Sequence, residues 1–386
     1  MIAAGLADPD LAPAPPEPPV WVEGLRAWMV SAHADVQALL RLRTMAPPDP
    51  RALLGRVEAR TGRSYPHLAA VLDGTMLFQT GPRHANARQV MGGVLAGLSR
   101  RWSADALRAE ADAILAALPD DATLDVAGGL AEELPCRVAG DMLGLAPHRL
   151  RRLRAMSQQV TAVWRPLPSL REYARLEALC AEAHADLAAA PPCLPGAAAD
   201  ALDVPLADLV MFLVIAAVDS TASSIGAGLD LLARDRALQA RDRALQARLR
   251  ADPHLVDGFV AETLRLAGPL RRLNDRIAQV PTTIGGVEMP AGATAIPQVD
   301  RAHRDPLAYP DPHRIDLTRT GPATLGFGGG GHACQGGVLG QAQVAAMLGA
   351  VLERFDIALG PGRRALAEDP ILRRYEALPL RLARVA

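Results

Sequence analysis

Cys334 lies in residues 325–340, which read Leu-Gly-Phe-Gly-Gly-Gly-Gly-His-Ala-Cys-Gln-Gly-Gly-Val-Leu-Gly. The apolar run over 344–355 that follows predicts a helix. A thiolate just ahead of a helix start meets the positive end of the dipole and nearby amide donors, so it can stay ionised. No second Cys or His stands at zinc-like spacing, which argues against a structural metal cage. The run Gly328 to Gly331 can turn tightly, take φ > 0 and lie close against a flat partner. Three other groupings could do chemistry. Asp219 and Ser220 interrupt an otherwise apolar stretch, and a buried carboxylate beside a hydroxyl is costly unless hydrogen-bonded or used. Glu262 and Arg265, three apart, share a helix face, as do His84 and Arg88, four apart.

A lone Cys is ordinarily a small buried hydrophobe. On a glycine shelf, one exposed thiolate cradled by amides instead suits a large planar cofactor with an open axial position, a haem. The spacing of Phe327, Gly330, Cys334 and Gly336, with His332 two before the Cys, closely resembles the haem-binding loop of the cytochrome P-450 superfamily. Thiolate ligation of this kind pushes electron density toward the iron and favours O–O cleavage. The resemblance implies haem b (iron protoporphyrin IX), with Cys334 as the metal ligand and Phe327, Gly330, His332 and Gly336 shaping its bed.

Further motifs extend the resemblance over residues 80–386. Pro82-x-His84-x-x-x-Arg88 is similar to the family's propionate-binding element, although the usual acid before the Pro is replaced by Thr80-Gly81. Arg276 matches a second propionate-binding Arg. Ala216-Ala217-Val218-Asp219-Ser220-Thr221 resembles the oxygen-activating segment, with Ala217 for the usual Gly and Ser220 for the usual Thr. Asp219 and Ser220 are then the expected catalytic proton relay. Serine keeps the hydroxyl but loses the methyl that restrains it. Glu262-x-x-Arg265 matches the family's structural pair, with Arg314 expected as the third member although Ile315 stands where Phe is usual. Residues 300–306 are similar to the Asn-Arg-Asp-Pro stretch, with His303 replacing Asn.

Half of the 386 residues are hydrophobic but only 3% are aromatic, so Leu, Ala and Val must pack the core, which predicts a mainly helical protein. The net charge of −1 gives no support for a nucleic-acid partner. All 41 basic residues are Arg, which with the abundant Ala fits GC-rich bacterial coding. Cys136, Cys180, Cys193 and Cys334 show no pairing pattern, as expected of a reducing cytoplasm. No signal peptide is evident, and the apolar run 209–218 is short for a membrane span.

In chain order, residues 1–20 form a Pro-rich extended arm. Helical spacing covers 20–42, 51–60, 102–118 and 126–145, and two helices within 149–190 break at Pro166 and Pro168. The span 206–235 is the longest helical signal, apolar nearly all round and so buried. A seven-residue repeat, 233–239 and 240–246, is expected to lengthen that helix on a solvated face. Residues 282–292 are the clear β signal.

The expectation is a mainly α protein with a small β part: the cytochrome P-450 fold, with residues 21–386 as a single large domain around a buried haem. The resemblance implies a cytoplasmic, monomeric monooxygenase that uses dioxygen to hydroxylate or otherwise oxidise a small molecule or peptide, as a tailoring step in bacterial secondary metabolism. Aromatic ring coupling and non-catalytic sensing are the alternatives. No flavin- or nicotinamide-binding Gly pattern is present, so electrons are expected from a ferredoxin with a flavoprotein reductase. Arg100 and Arg101 are the expected docking face, and Ala216, Ala217 and Leu270 the substrate-lining residues.

Overall fold

A computed structural model describes residues 17–161, 168–196, 198–238 and 244–385. Residues 1–16 of the Pro-rich arm, the break at Pro166 and residues 239–243 of the repeat lie outside the described residues. The chain divides into two compact units, one of residues 1–46, 102–134 and 220–386, the other of 47–101 and 135–219.

In the first unit, Val20–Val22 and Ala27–Val30 are strands, where apolar spacing predicted a helix from Val20. Trp21 and Trp28 are direct cross-strand partners with rings edge to face, centroids 5.5 Å apart. β-rich Val and Trp, with a left-handed Arg26 turning the chain, outweigh a helical period carried by so few residues. These strands begin a five-stranded sheet continued by Thr294–Pro297, Arg276–Ala278 and Met45–Ala46. The helix His33–Arg41 packs on it through Val36, Leu39 and Leu40, in a cluster that also holds Leu325, the first residue of the cysteine loop. Asp121–Asp125, Pro379–Arg384 and Phe355–Leu359 form a second sheet, so β structure extends well beyond 282–292.

The helix Gly337–Arg354 packs against Ala104–Ala116, Ser220–Leu238 and Leu255–Ala267. A Cβ on Gly228 would stand 2.5 Å from Leu348 Cδ1, so this glycine permits the approach of two central helices. The described parts of the repeat are helical, lying at the end of Ser220–Leu238 and the start of Ala244–Ala251. The second copy does not end on a solvated face. Leu245 and Gln246 are buried, and Gln246 Nε2 donates to the carbonyls of Leu232 (3.0 Å) and Ile357 (2.9 Å) while its Oε1 accepts from Ile357 N (3.1 Å).

The second unit is helical. Asp49 caps Pro50–Thr61 by accepting from Ala52 N, and left-handed Gly62 ends it. Leu170–Ala189 opens with a Ser169/Glu172 capping box. Pro66–Gly74 lies so close to Leu206–Val214 that a Cβ on Gly74 would meet the Asp208 carbonyl oxygen at 2.4 Å. The short connection after Ala189 is tied back by Asn86, which donates to Ala201 O (3.0 Å) and accepts from Asp203 N (3.3 Å). One segment, Leu206–Arg234, is long and apolar enough to cross a membrane, yet 67% of its most apolar window is buried within the protein, as in a core helix.

Candidate active site

The cysteine loop is built on the first unit. Thr324 Oγ1 accepts from Gly326 N, starting a short 3-10 turn at Leu325–Phe327, and left-handed Gly328 and Gly330 redirect the chain. Gly330 cannot carry a side chain there, since a Cβ would come within 2.6 Å of Leu40 O. Cys334 N donates to Phe327 O at 2.7 Å, folding the loop back on itself. The Phe327 ring lies over Gly337, where a Cβ would stand 3.2 Å from it. Helix Gly337–Arg354 begins earlier than apolar periodicity suggested, directly after the loop. Cys334 is thus an exposed thiol ahead of a long helix, the setting that favours a thiolate.

Arg276 sits in the same unit on the sheet strand Arg276–Ala278. It is buried, and among the described residues its hydrogen bonds go only to the carbonyls of Asn274 (3.0 Å) and Asp275 (3.1 Å). Burial lowers its pKa, partly offset by the charge of Asp275. A buried guanidinium with no carboxylate hydrogen bond is costly and fits an anionic ligand group. Among the described residues no group of three or more His, Cys, Asp or Glu could hold a metal. An exposed sulfur and a buried, carboxylate-poor Arg suit a porphyrin iron with acidic side groups. Leu270 is half-buried and bridges to Leu372.

Behind the loop lies a buried hub. Glu262 receives Arg265 Nε and Nη2, each at 2.7 Å, Arg319 Nε at 3.1 Å and Asp316 N at 3.0 Å. The third arginine is thus Arg319, not Arg314, whose side chain is exposed. Arg314 contributes only its carbonyl, to Arg265 and Arg319, each at 3.1 Å. Burial alone would raise the Glu262 pKa. Hydrogen bonds from Arg265 and Asp316, with the charges of Arg265 and Arg319, outweigh it and leave the group below the ordinary value.

In the second unit, the long apolar helix is interrupted by a π turn, Ile215–Asp219, that periodicity did not reveal. Such turns widen a helix locally and are frequent at functional sites. Ile215, Val218 and Asp219 are buried while Ala216 is exposed and Ala217 half-buried, so this buried helix opens at two small residues. Ser220, half-buried, follows four residues after Ala216. The Asp219 carboxylate is held by Arg154 and by Gln158 Nε2, at 3.0 and 2.9 Å from its two oxygens. Neither Arg154 nor Gln158 was marked by a sequence motif. The helix Gly81–Arg101 carries half-buried His84 and Arg88; burial, then the Arg88 charge, lowers the His84 pKa. A cation and a ring N–H donor on one helix face suit a carboxylate.

The placement of this thiol suits a haem-binding chain. The Cytochrome P450 family profile matches residues 203–373. Nocardicin C N-oxygenase of Nocardia uniformis subsp. tsuyamanensis is 29% identical over 380 residues, covering 92% of this chain and 90% of that protein. Cytochrome P450 monooxygenase PikC of Streptomyces venezuelae is 40% identical over 139 residues, 35% of this chain and 33% of PikC. Among solved structures, CalO2 superposes with a TM-score of 0.81 at 23% identity, covering 95% of this chain and 93% of its own. P450BioI, solved with an acyl carrier protein, gives 0.79 at 20% identity, covering 92% of each chain. The chain belongs to the cytochrome P450 family and is a P450 monooxygenase.

Proposed function

We propose that this monooxygenase oxidises a small organic molecule as a tailoring step in bacterial secondary metabolism, with Cys334 as the residue that would hold the iron of haem b. The exposed Cys334 thiol at the head of its helix carries the reading. Support for the substrate class comes from relatives: nocardicin C N-oxygenase over nearly the whole chain, and 6-deoxyerythronolide B hydroxylase at 33% identity over 184 residues. When bound, the haem supplies dioxygen binding and oxygen transfer.

The chain's own residues have separable tasks. Arg276 would bind an acidic group of the cofactor, and the family resemblance gives His84 and Arg88 the same kind of task. Phe327, Gly330, His332 and Gly336 shape the loop against its face. Ala216 and Ala217 leave room along the opened helix, and Leu270 contributes an apolar wall. Ser220 holds a water or passes a proton through its hydroxyl. Asp219 must exchange Arg154 or Gln158 to join that relay, so proton delivery is gated by those two contacts. Electrons come from a ferredoxin reduced by a flavoprotein reductase. Arg100 is exposed on the helix Gly81–Arg101, while Arg101 is paired with Asp141 (2.5 Å), leaving Arg100 the better docking cation.

The carbon monoxide spectrum of the reduced protein tests the ligand: the thiolate signature is expected in the natural protein and lost in Cys334→Ser. Spin-state titration against metabolites encoded by neighbouring genes tests the substrate class; failure of every such compound to shift the haem would overturn it.

A further inference from the structure

His303 has no assigned task, yet it touches the cysteine loop at its first residue. Its ring is buried, and Leu325 N donates to its Nε2 at 2.9 Å. A backbone N–H can only donate, so Nε2 is the bare nitrogen and the ring is the neutral Nδ1–H tautomer. Thr324 Oγ1 stands 3.1 Å from the same nitrogen. With Nε2 unprotonated, the hydroxyl donates to it, which leaves Oγ1 a lone pair for Gly326 N, also 3.1 Å away. One amide and one hydroxyl at the loop's entrance therefore end on one imidazole nitrogen, and the hydroxyl in turn holds a second amide.

The same short segment grips the loop from another side. Asp305, two residues on, accepts from His33 N at 2.9 Å at the start of helix His33–Arg41. The far end of that helix, Leu40 and Arg41, is the surface on which Gly329 and Gly330 rest. The His303 carbonyl meanwhile accepts from Arg265 Nη1 at 3.0 Å, fastening the segment to the Glu262 hub. One path runs from His303 to Leu325, the other from Asp305 through a rigid helix to Gly330, and the loop between them leads to Cys334.

We propose that His303 is a positioning residue for the haem thiolate, its Nε2 fixing where the cysteine loop begins and hence where the sulfur is presented. This rests on Cys334 being the haem ligand. Burial, reinforced by the charges of Arg265, His33 and Arg304, pushes the ring's pKa down to about 3, so the acceptor persists across the working pH range.

His303→Leu removes the acceptor but keeps the backbone anchor to Arg265, whereas His303→Asn restores an acceptor oxygen. In His303→Leu, amide exchange at Leu325 should quicken roughly tenfold or more. The carbon monoxide complex should shift largely from the thiolate-ligated band to that of a protonated or displaced sulfur. His303→Asn should recover both signals. Thr324→Val, which spares the Leu325 bond, should quicken exchange at Gly326 and leave most of the thiolate band. A folded His303→Leu protein with natural exchange and a natural spectrum would overturn the proposal. So would an Asn variant as impaired as the Leu variant, which would make the ring a packing element only. Absence of a thiolate band in the unaltered protein would instead defeat the Cys334 assignment, and the exchange measurement would still judge the Leu325 contact.

Discussion

Two buried carboxylates, Glu262 and Asp219, are held in opposite styles. Glu262 takes Arg265 from its own helix, Arg319 from a loop and a backbone amide, and those guanidiniums are themselves tied to carbonyls of His303, Pro312, Arg314 and Pro310. Asp219 sits on a π turn and is held by two side chains of one distant helix, Arg154 and Gln158. The first arrangement cannot let go without dissolving several loops. The second can exchange a partner while its helix stays in place. If Asp219 serves the proposed proton relay, a carboxylate that frames a site differs from one that works in it less by burial than by what its partners are anchored to.

The widest separation should come from removing each acid. Glu262→Ala leaves two arginines without their counter-charge and should cost about 3–5 kcal/mol, read as a large fall in the denaturant midpoint. Asp219→Asn should keep the fold and lower product formed per electron consumed, with turnover down about 100-fold. Comparable destabilisation by both would erase the contrast. Next, Arg319→Ala should cost about 1.5–3 kcal/mol, the range for hydrogen bonds to charged groups. Arg314→Ala should stay within about 0.5 kcal/mol. The pH dependence sharpens the same point. The folded-state pKa of Glu262 lies below its ordinary value of 4.5. Its contribution is therefore fully present above the unfolded value and is lost as pH falls through the folded one, so acid unfolding should soften in Glu262→Gln. Smallest, Arg100→Glu should slow reduction by ferredoxin a few-fold and weaken its salt dependence while leaving stability unchanged.

The loop's glycines were legible because the need for positive φ at Gly328 and Gly330 leaves a residue-type signature. Glu262 and Arg265 were legible for a similar reason: a regular helix converts spacing of three into contact. Arg319 was not, because between Pro312 and Arg319 the chain is irregular and sequence distance there does not fix side-chain direction. The π turn left no trace either, since Ile, Ala and Val satisfy an α-helical period and a π-helical one alike. Strands Val20–Val22 and Ala27–Val30 were missed because so short an apolar run fits either period, and only the partner strand Thr294–Pro297 decides. Arg154 and Gln158 carry no motif; a buried Asp219 implied partners without saying which.

The clasp between Gln246 and Ile357 bears on the duplicated heptads. Both copies end in Ala-Leu-Gln, at 237–239 and at 244–246, so the gene holds a spare version of the tripeptide that grips this strand. Excising either heptad would leave the same sequence, with one Ala-Leu-Gln directly ahead of Ala247, so the tripeptide itself survives the loss of either copy.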